Sequence, residues 1–291
     1  MTTNISRIKR ASRMKRVILV ALSIATVPLL AHAAGEAVHI DRQKWSFAGL
    51  FGRFDQNQLQ RGFQVYKDAC AQCHGVSRLA FRNLAQTGGP VFNEEAVKGL
   101  AATYQVNDGP NDDGKMFKRP GRLSDRIPAP YANEQEARAT HNGAYPPDLT
   151  LITKARGIEY HGSLFAHPFH IVKDMASGYQ EAGADYLYAL LTGYAAAPAD
   201  FKLADGMQYN KAFPGHQIAM PPPLIEGNIK YQDGTPATVD QMARDVTAFL
   251  HWAGDPKHDE RKSMGLLVLL YLLITAVLLY FAKKRIWSSA H

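Results

Sequence analysis

Cys70-Ala71-Gln72-Cys73-His74 decides how the whole chain is read. Two cysteines three apart, with a histidine directly after the second, form the attachment pattern of a c-type haem. Each thiol adds across one haem vinyl group to give a thioether. The two vinyls stand at fixed positions on one edge of the ring, and this sets the cysteine spacing. The histidine is then held against the macrocycle with an imidazole nitrogen to offer the iron. A thioredoxin-like pair also uses two cysteines three apart, but it requires no histidine after them. A zinc site would need two further ligands at suitable spacing. The 291 residues contain no other cysteine, so none is left for a thiolate cage or a disulfide.

Upstream of the motif, residues 34–54 read as irregular, with Trp45 and Phe47 as packing residues. A helix is predicted from near Asp55. Leu59, Phe63 and Tyr66 recur at helical spacing on one face, and Gly62 lies on the adjacent row, where a second helix can approach closely. This helix runs straight into the haem motif, an arrangement that resembles the class I cytochrome c fold. A second strong helix is predicted over 238–253. Val239, Met242, Val246, Phe249, Leu250 and Ala253 form its apolar stripe, and Thr238 with Gln241 makes a capping box. Class I cytochromes cross such a helix over the first one. Gly62 against Phe249 or Trp252 suits that crossing.

Between these helices the signals are weaker. Residues 75–150 carry many turn pairs, such as Gly88-Gly89-Pro90 and Asp108-Gly109-Pro110, with short helices expected over 94–104 and 134–139. So long an irregular stretch is uncommon and is usually either disordered or wrapped over something functional. Phe117, Ile127, Tyr131, Tyr145 and Leu149 are expected to pack. Residues 157–182 are rich in His, Gly and aromatics. His161, His167 and His170 fit no standard zinc spacing and read as solvated. A helix follows over 184–191, with Gly193 as a C′ residue. Met220-Pro221-Pro222-Pro223 is the second chemical signal. A thioether is a soft, neutral sixth ligand that raises the potential of a haem, and the prolines stiffen the backbone beside it. Met116, Met175, Met207 and Met242 compete for this role, since methionine is commonly core filler.

The two ends address the chain to a membrane. Residues 1–33 read as a secretory signal: Arg7, Lys9, Arg10, Arg13, Lys15 and Arg16, an apolar core over 17–30, and the cleavage site Ala31-His32-Ala33. An uncleaved anchor and a mitochondrial presequence are the alternatives, and the long apolar core suits the latter less well. The expected organisation is a haem domain over 34–256, a juxtamembrane linker over 257–264, a transmembrane helix over 265–282 and a tail over 283–291. The apolar run spans roughly 27 Å, enough for a bilayer core. Lys283, Lys284 and Arg285 put the tail in the cytoplasm and the haem domain in the periplasm of a bacterial inner membrane. Losing the six signal cations takes the formal charge from +7 to +1. Setting aside the three tail cations leaves the exported part near −2, which points to a basic partner and away from nucleic acid.

With these elements in place the chain resembles the cytochrome c1 family, the haem-carrying subunits of cytochrome bc1 complexes. Several runs carry the likeness. Residues 108–121 begin Asp108-Gly109-Pro110-Asn111 and end Arg119-Pro120-Gly121. Further runs are Asn142-Gly143-Ala144-Tyr145-Pro146-Pro147-Asp148-Leu149, Leu190-Leu191-Thr192-Gly193-Tyr194, Ile218-Ala219-Met220-Pro221-Pro222-Pro223, Asp233-Gly234-Thr235-Pro236-Ala237-Thr238 and Arg261-Lys262-Ser263-Met264-Gly265. The resemblance implies a mainly α, class I cytochrome c-like haem domain with long loops and one C-terminal transmembrane helix. It implies one covalent haem c on Cys70 and Cys73, with His74 and Met220 as axial ligands, Arg156 meeting a propionate and Tyr186 near the ring. It further implies cytochrome b, a Rieske iron–sulfur protein and a soluble cytochrome c as partners in a dimeric complex. Glu94, Glu95, Asp108, Asp112 and Asp113 are then candidates for steering a basic cytochrome c. The chain departs from the shortest family members in its longer 157–182 segment, and it lacks the cysteines of the extra disulfide found in some bacterial relatives. The rival readings are an anchored monohaem donor to a terminal oxidase and a peroxidase-type enzyme, which needs an open sixth position.

Overall fold

The computed structural model describes residues 38–157, 167–177, 179 and 181–288. The signal over 1–33 and, within the 157–182 insertion, residues 158–166 (His161 among them), 178 and 180 lie outside them. Eight α-helices are described: α1 Gln56–Val65, α2 Glu94–Ala102, α3 Glu134–Thr140, α4 Ile152–Ala155, α5 His167–Ser177, α6 Ala182–Thr192, α7 Val239–Gly254 and α8 His258–Trp287. Two small antiparallel pairs accompany them: β1 Gln105–Asp108 with β2 Phe117–Pro120, and β3 Gln208–Tyr209 with β4 Gln217–Ile218.

The crossing of α1 and α7 is the frame of the domain. Asp55 caps α1, accepting from the Gln58 amide at 2.9 Å. Its buried side presents Leu59, Gly62 and Val65. A Cβ on Gly62 would lie 2.0 Å from the Asp245 carbonyl oxygen and 2.7 Å from the Phe249 Cβ. The two backbones therefore meet at a point that only glycine can occupy, as the predicted Gly62–Phe249 approach requires. Trp252 lies elsewhere, across Gly89, whose Cβ would sit 2.6 Å from the indole. Arg61 ties the crossing electrostatically, donating to buried Asp245 at 2.8 Å and to Asp233 at 2.9 Å. The α7 stripe is buried through Met242, Val246, Phe249, Leu250 and Ala253. Its N-cap is half of the expected box: the Thr238 hydroxyl accepts from the Gln241 amide. The Gln241 side chain donates to Asp245 instead, because a buried carboxylate needs donors more than the cap does.

The N-terminal stretch packs as its aromatics predict. Trp45 and Phe47 are buried and stacked, with ring centroids 5.3 Å apart. Buried Asp185 of α6 collects the Trp45 indole N–H at 2.7 Å, the Gln43 amide at 3.0 Å and the Tyr179 hydroxyl at 2.6 Å. Asp185→Asn turns one acceptor oxygen into a donor facing donors. We expect a loss of about 1–3 kcal/mol, read as a lower urea midpoint with an unchanged slope.

Several expectations are corrected. Phe117 and Tyr145 are exposed, while Ile127 and Leu149 are buried as expected and Tyr131 is half-buried. The β1–β2 hairpin stands where only loop was expected. It is held by Arg119, which bridges Asp108 and Asp125. Residues 167–177 of the insertion form a helix, with His170 exposed on it. Gly193 closes α6 at φ −85°, outside the left-handed region. Its lack of a side chain serves a close approach instead, since a Cβ would lie 2.6 Å from the Ala189 carbonyl oxygen. Residues 258–264 form the opening turns of α8, which continues unbroken for 30 residues, about 45 Å. No part of its apolar window is buried within the chain.

Candidate functional site

The haem motif sits at the end of α1 on a turn wider than α. Residues Tyr66–Cys70 form a π-helical turn, and the Ala71 amide donates to the Tyr66 carbonyl at 2.8 Å. The Cys73 and His74 amides both donate to the Cys70 carbonyl, at 3.1 and 2.9 Å. One turn thus fixes both thiols and the imidazole relative to α1. Cys70 is buried and Cys73 half-buried, and the two are not joined in a disulfide. Burial, with the neighbouring Cys73, pushes the Cys70 thiol up to about 12.

His74 is oriented by a backbone acceptor. Its Nδ1 lies 2.8 Å from the Pro147 carbonyl oxygen. A carbonyl can only accept, so Nδ1 carries the proton and Nε2 keeps its lone pair, the tautomer a metal requires. Burial lowers the His74 pKa and outweighs the Pro147 contact, which keeps the ring neutral. The long stretch over 127–150 is stitched onto the motif around this contact. The Ile127 amide donates to Leu79 O and the Leu149 amide to Gly75 O, at 2.9 and 2.8 Å. A Cβ on Gly75 would meet Ala129 at 3.3 Å. The expectation that this segment wraps over the haem motif is met by these contacts.

Asp148, next to Pro147, locks that wrap. It accepts from the Ser77 amide at 2.8 Å, the Ser77 hydroxyl at 2.7 Å and the Thr150 amide at 2.9 Å. Burial pushes its carboxyl up, but the hydrogen bonds from Ser77 and Thr150 win and hold it below the ordinary aspartate range. A depressed folded-state pKa contributes stability above the unfolded value of about 3.9. That contribution is lost as pH falls through the folded value. Asp148→Asn is therefore expected to lower Tm at neutral pH, with the gap to the parent closing below about pH 4. Thermal melts across pH check it.

The remaining candidates come from the α4–α6 side. Thr150 accepts from the Arg78 amide at 3.3 Å, and α4 follows two residues later. Arg156 caps the end of α4 with an exposed side chain, and no carboxylate among the described residues pairs with it. A Cβ on Gly183 would lie 1.8 Å from Thr153 O and 2.6 Å from Arg156 O. The α4 terminus thus abuts the first turn of α6, and Tyr186 lies buried one turn further along α6. Met220 follows β4. Its carbonyl accepts from the Tyr194 hydroxyl at 3.1 Å, just beyond α6. Asn210 fastens the β3–β4 pair to α6 by donating to Leu190 O at 2.8 Å. Met220 is half-buried, whereas Met116 is 65% exposed and Met242 is sealed in the core. Pro147, Asp148 and Tyr194 are positioning residues that the residue patterns alone did not single out.

A helix that ends in a paired-thiol turn, with a neutral histidine whose Nδ1 is tied to a carbonyl, defines a c-type cytochrome. Comparison with known proteins narrows the class. The model of the Cytochrome C1 family matches residues 45–290. Cytochrome c1 of Rhodospirillum rubrum is 41% identical over 292 residues, covering 95% of this chain and 97% of that protein. Cytochrome c1 of Blastochloris viridis is 45% identical over 268 residues, covering 91% of this chain and 92% of that one. The protein named cytochrome b/c1 of Bradyrhizobium diazoefficiens is 51% identical over 249 residues. That match covers 85% of this chain but only 35% of the relative. The chain belongs to the cytochrome c1 family. Its members carry one covalent haem c, and the thiols and imidazole described above fit that group. The exposed apolar helix α8 makes the protein membrane-anchored.

Proposed function

We propose that this chain is the electron-transferring subunit of a ubiquinol–cytochrome c reductase (cytochrome bc1) complex. A relative from Candida albicans, 43% identical over 257 residues, is named as the catalytic subunit of a cytochrome b-c1 complex. The observation that carries the reading is the His74–Pro147 contact on the attachment motif. It leaves Nε2 with its lone pair available to ligate an iron. Cys70 and Cys73 would hold the haem as thioethers, and His74 and Met220 would ligate its iron. Arg156 offers a free guanidinium to a propionate, and Tyr186 lines the ring's surroundings. The haem supplies a one-electron couple between ferric and ferrous iron.

The chain's own residues do the rest. The Pro147 carbonyl fixes the tautomer and plane of His74. Tyr194 holds the Met220 backbone carbonyl, and the three prolines that follow stiffen the chain beside the thioether. With His74 and Met220 both ligating it, the iron would have no open position for oxygen or peroxide and the chain would only carry electrons, which argues against the peroxidase-type reading. It accepts one electron from a Rieske iron–sulfur protein and delivers it to a soluble cytochrome c. Quinol is oxidised on a partner cytochrome b, and the whole is a dimer. The haem domain faces the periplasm of a bacterial inner membrane and the tail faces the cytoplasm, in keeping with Lys283, Lys284 and Arg285 after the span.

Steering of the acceptor falls unevenly on the acidic candidates. Glu94 and Glu95 share Lys98, and Asp108 is bridged by Arg119, so Asp112 and Asp113 on the hairpin loop are the freer charges. Stopped-flow oxidation of the reduced protein by a basic soluble cytochrome c tests the reading. We expect second-order transfer whose rate constant falls roughly tenfold or more from low to high salt. Asp112→Asn with Asp113→Asn together should flatten that slope. Absence of transfer to any soluble c-type acceptor contradicts the proposal.

A further inference from the structure

Two large apolar side chains stand in water on a stiffly built tip. Leu50 and Phe51 keep 75% and 76% of their surface exposed. Their turn is not a loose loop. The Ala48 amide donates to Trp45 O at 3.2 Å and the Arg53 amide to Ser46 O at 2.9 Å. Gly49 takes φ +70°, and a Cβ on Gly52 would lie 2.1 Å from Ala48 O. Both glycines are thus required by the fold of the tip. Beneath it, Trp45 and Phe47 are buried. A constrained turn that holds two adjacent large hydrophobics out of the core is an interaction surface in search of an apolar partner.

The position of the tip selects the partner. The Phe54 amide donates to the Asp259 carboxylate at 3.3 Å, and the Lys262 ammonium donates to Phe47 O and Gly49 O at 2.7 and 2.5 Å. The base of the tip therefore lies beside the first turn of α8, and Gly49 beside the next. Lys262 lies three residues before the apolar run begins at Gly265. Lys44 and Arg53 on the tip's flanks are exposed cations; Lys257, which caps α8, and Arg261 on it are also exposed but pair with Glu260 and Asp255. An apolar point flanked by cations is the make-up of a lipid-interface anchor.

We propose that Leu50 and Phe51 are a second membrane contact, inserted at the headgroup–acyl boundary of the leaflet into which α8 passes. A single helix tethers the haem domain but leaves it free to tilt. A rigid second contact beside the helix fixes the domain's orientation to the bilayer. The insertion is shallow, about 5–10 Å, and needs no change in the fold.

Depth-dependent quenching tests this on the full-length holo-chain. Phe51→Cys is labelled with an environment-sensitive fluorophore; Cys70 and Cys73, tied up as thioethers, do not react. The labelled protein is placed in vesicles of phosphatidylcholine and phosphatidylglycerol. A Gly99→Cys protein, labelled where α2 faces open space, is the reference. We expect blue-shifted emission at position 51. We also expect several-fold stronger quenching than the reference by lipids carrying a nitroxide near the headgroup end of the acyl chain. Water-like emission without quenching overturns the proposal. So does a probe that is unquenched in vesicles yet shielded in native membranes, which would assign the tip to a protein partner. Leu50→Cys repeats the measurement should Phe51→Cys lose its haem spectrum or its melting transition.

Discussion

Met220→Leu is expected to lower the haem midpoint potential by on the order of 0.1 V or more, within the roughly 0.8 V range that axial ligation commands. It is also expected to let carbon monoxide bind the reduced protein. Leucine keeps the volume and apolar character of methionine but has no lone pair. Loss of the thioether removes a ligand that favours the ferrous state and leaves the sixth position to water or added ligand. The backbone around it should not collapse, because the Met220 carbonyl remains held by the Tyr194 hydroxyl. Redox titration and a carbon monoxide difference spectrum read the two effects together. An unchanged potential and spectrum would remove Met220 from the coordination sphere and reopen Met207, which is also half-buried.

Gly62→Ala is the largest stability effect expected from a single methyl group. The new Cβ would be placed 2.0 Å from a backbone oxygen of α7 and 2.7 Å from the Phe249 Cβ. Neither can swing aside as a side-chain tip can. The helices must separate, and separation strips contact from Leu59, Tyr66, Val246 and Phe249 together. It also strains the Arg61–Asp245 pair across the same crossing. We expect a loss of about 3 kcal/mol or more, seen as a Tm lower by roughly 6–12 °C. Gly99→Ala, with open space around the added methyl, should cost nothing comparable. Because α1 ends in the attachment turn, the α1–α7 crossing also positions the haem. Gly62→Ala should therefore reduce haem incorporation in step with stability.

The sequence reveals those parts of this molecule that are written in side chains. The attachment motif, the α1 and α7 stripes, the Gly62 crossing and the membrane helix each depend on residue type at fixed spacing. The parts it conceals are written in the backbone. The acceptor that orients His74 is the Pro147 carbonyl, and a carbonyl has no residue signature. The β1–β2 hairpin pairs Gln105-Val106-Asn107-Asp108 with Phe117-Lys118-Arg119-Pro120, which lacks the apolar alternation that marks a half-buried strand. Arg119 and its two aspartates hold it in place of a hydrophobic face. Residues 152–155 make a single helical turn, too short to show a period. Gln241 could cap α7 or serve Asp245, and only the burial of Asp245 decides between them. Phe117 and Tyr145 face water despite their aromatic character, which alone carries no information about which side of a hairpin or loop is exposed.

The most direct test of the account is a dithionite-minus-ferricyanide spectrum of the protein, tagged and purified from its own membrane in mild detergent, followed by reduction with quinol. We expect a c-type band from one haem accompanied by b-type bands, with both sets reduced by quinol. A c-type band that stands alone and stays oxidised with quinol, in intact membranes as well as in detergent, would contradict membership of a quinol-oxidising complex.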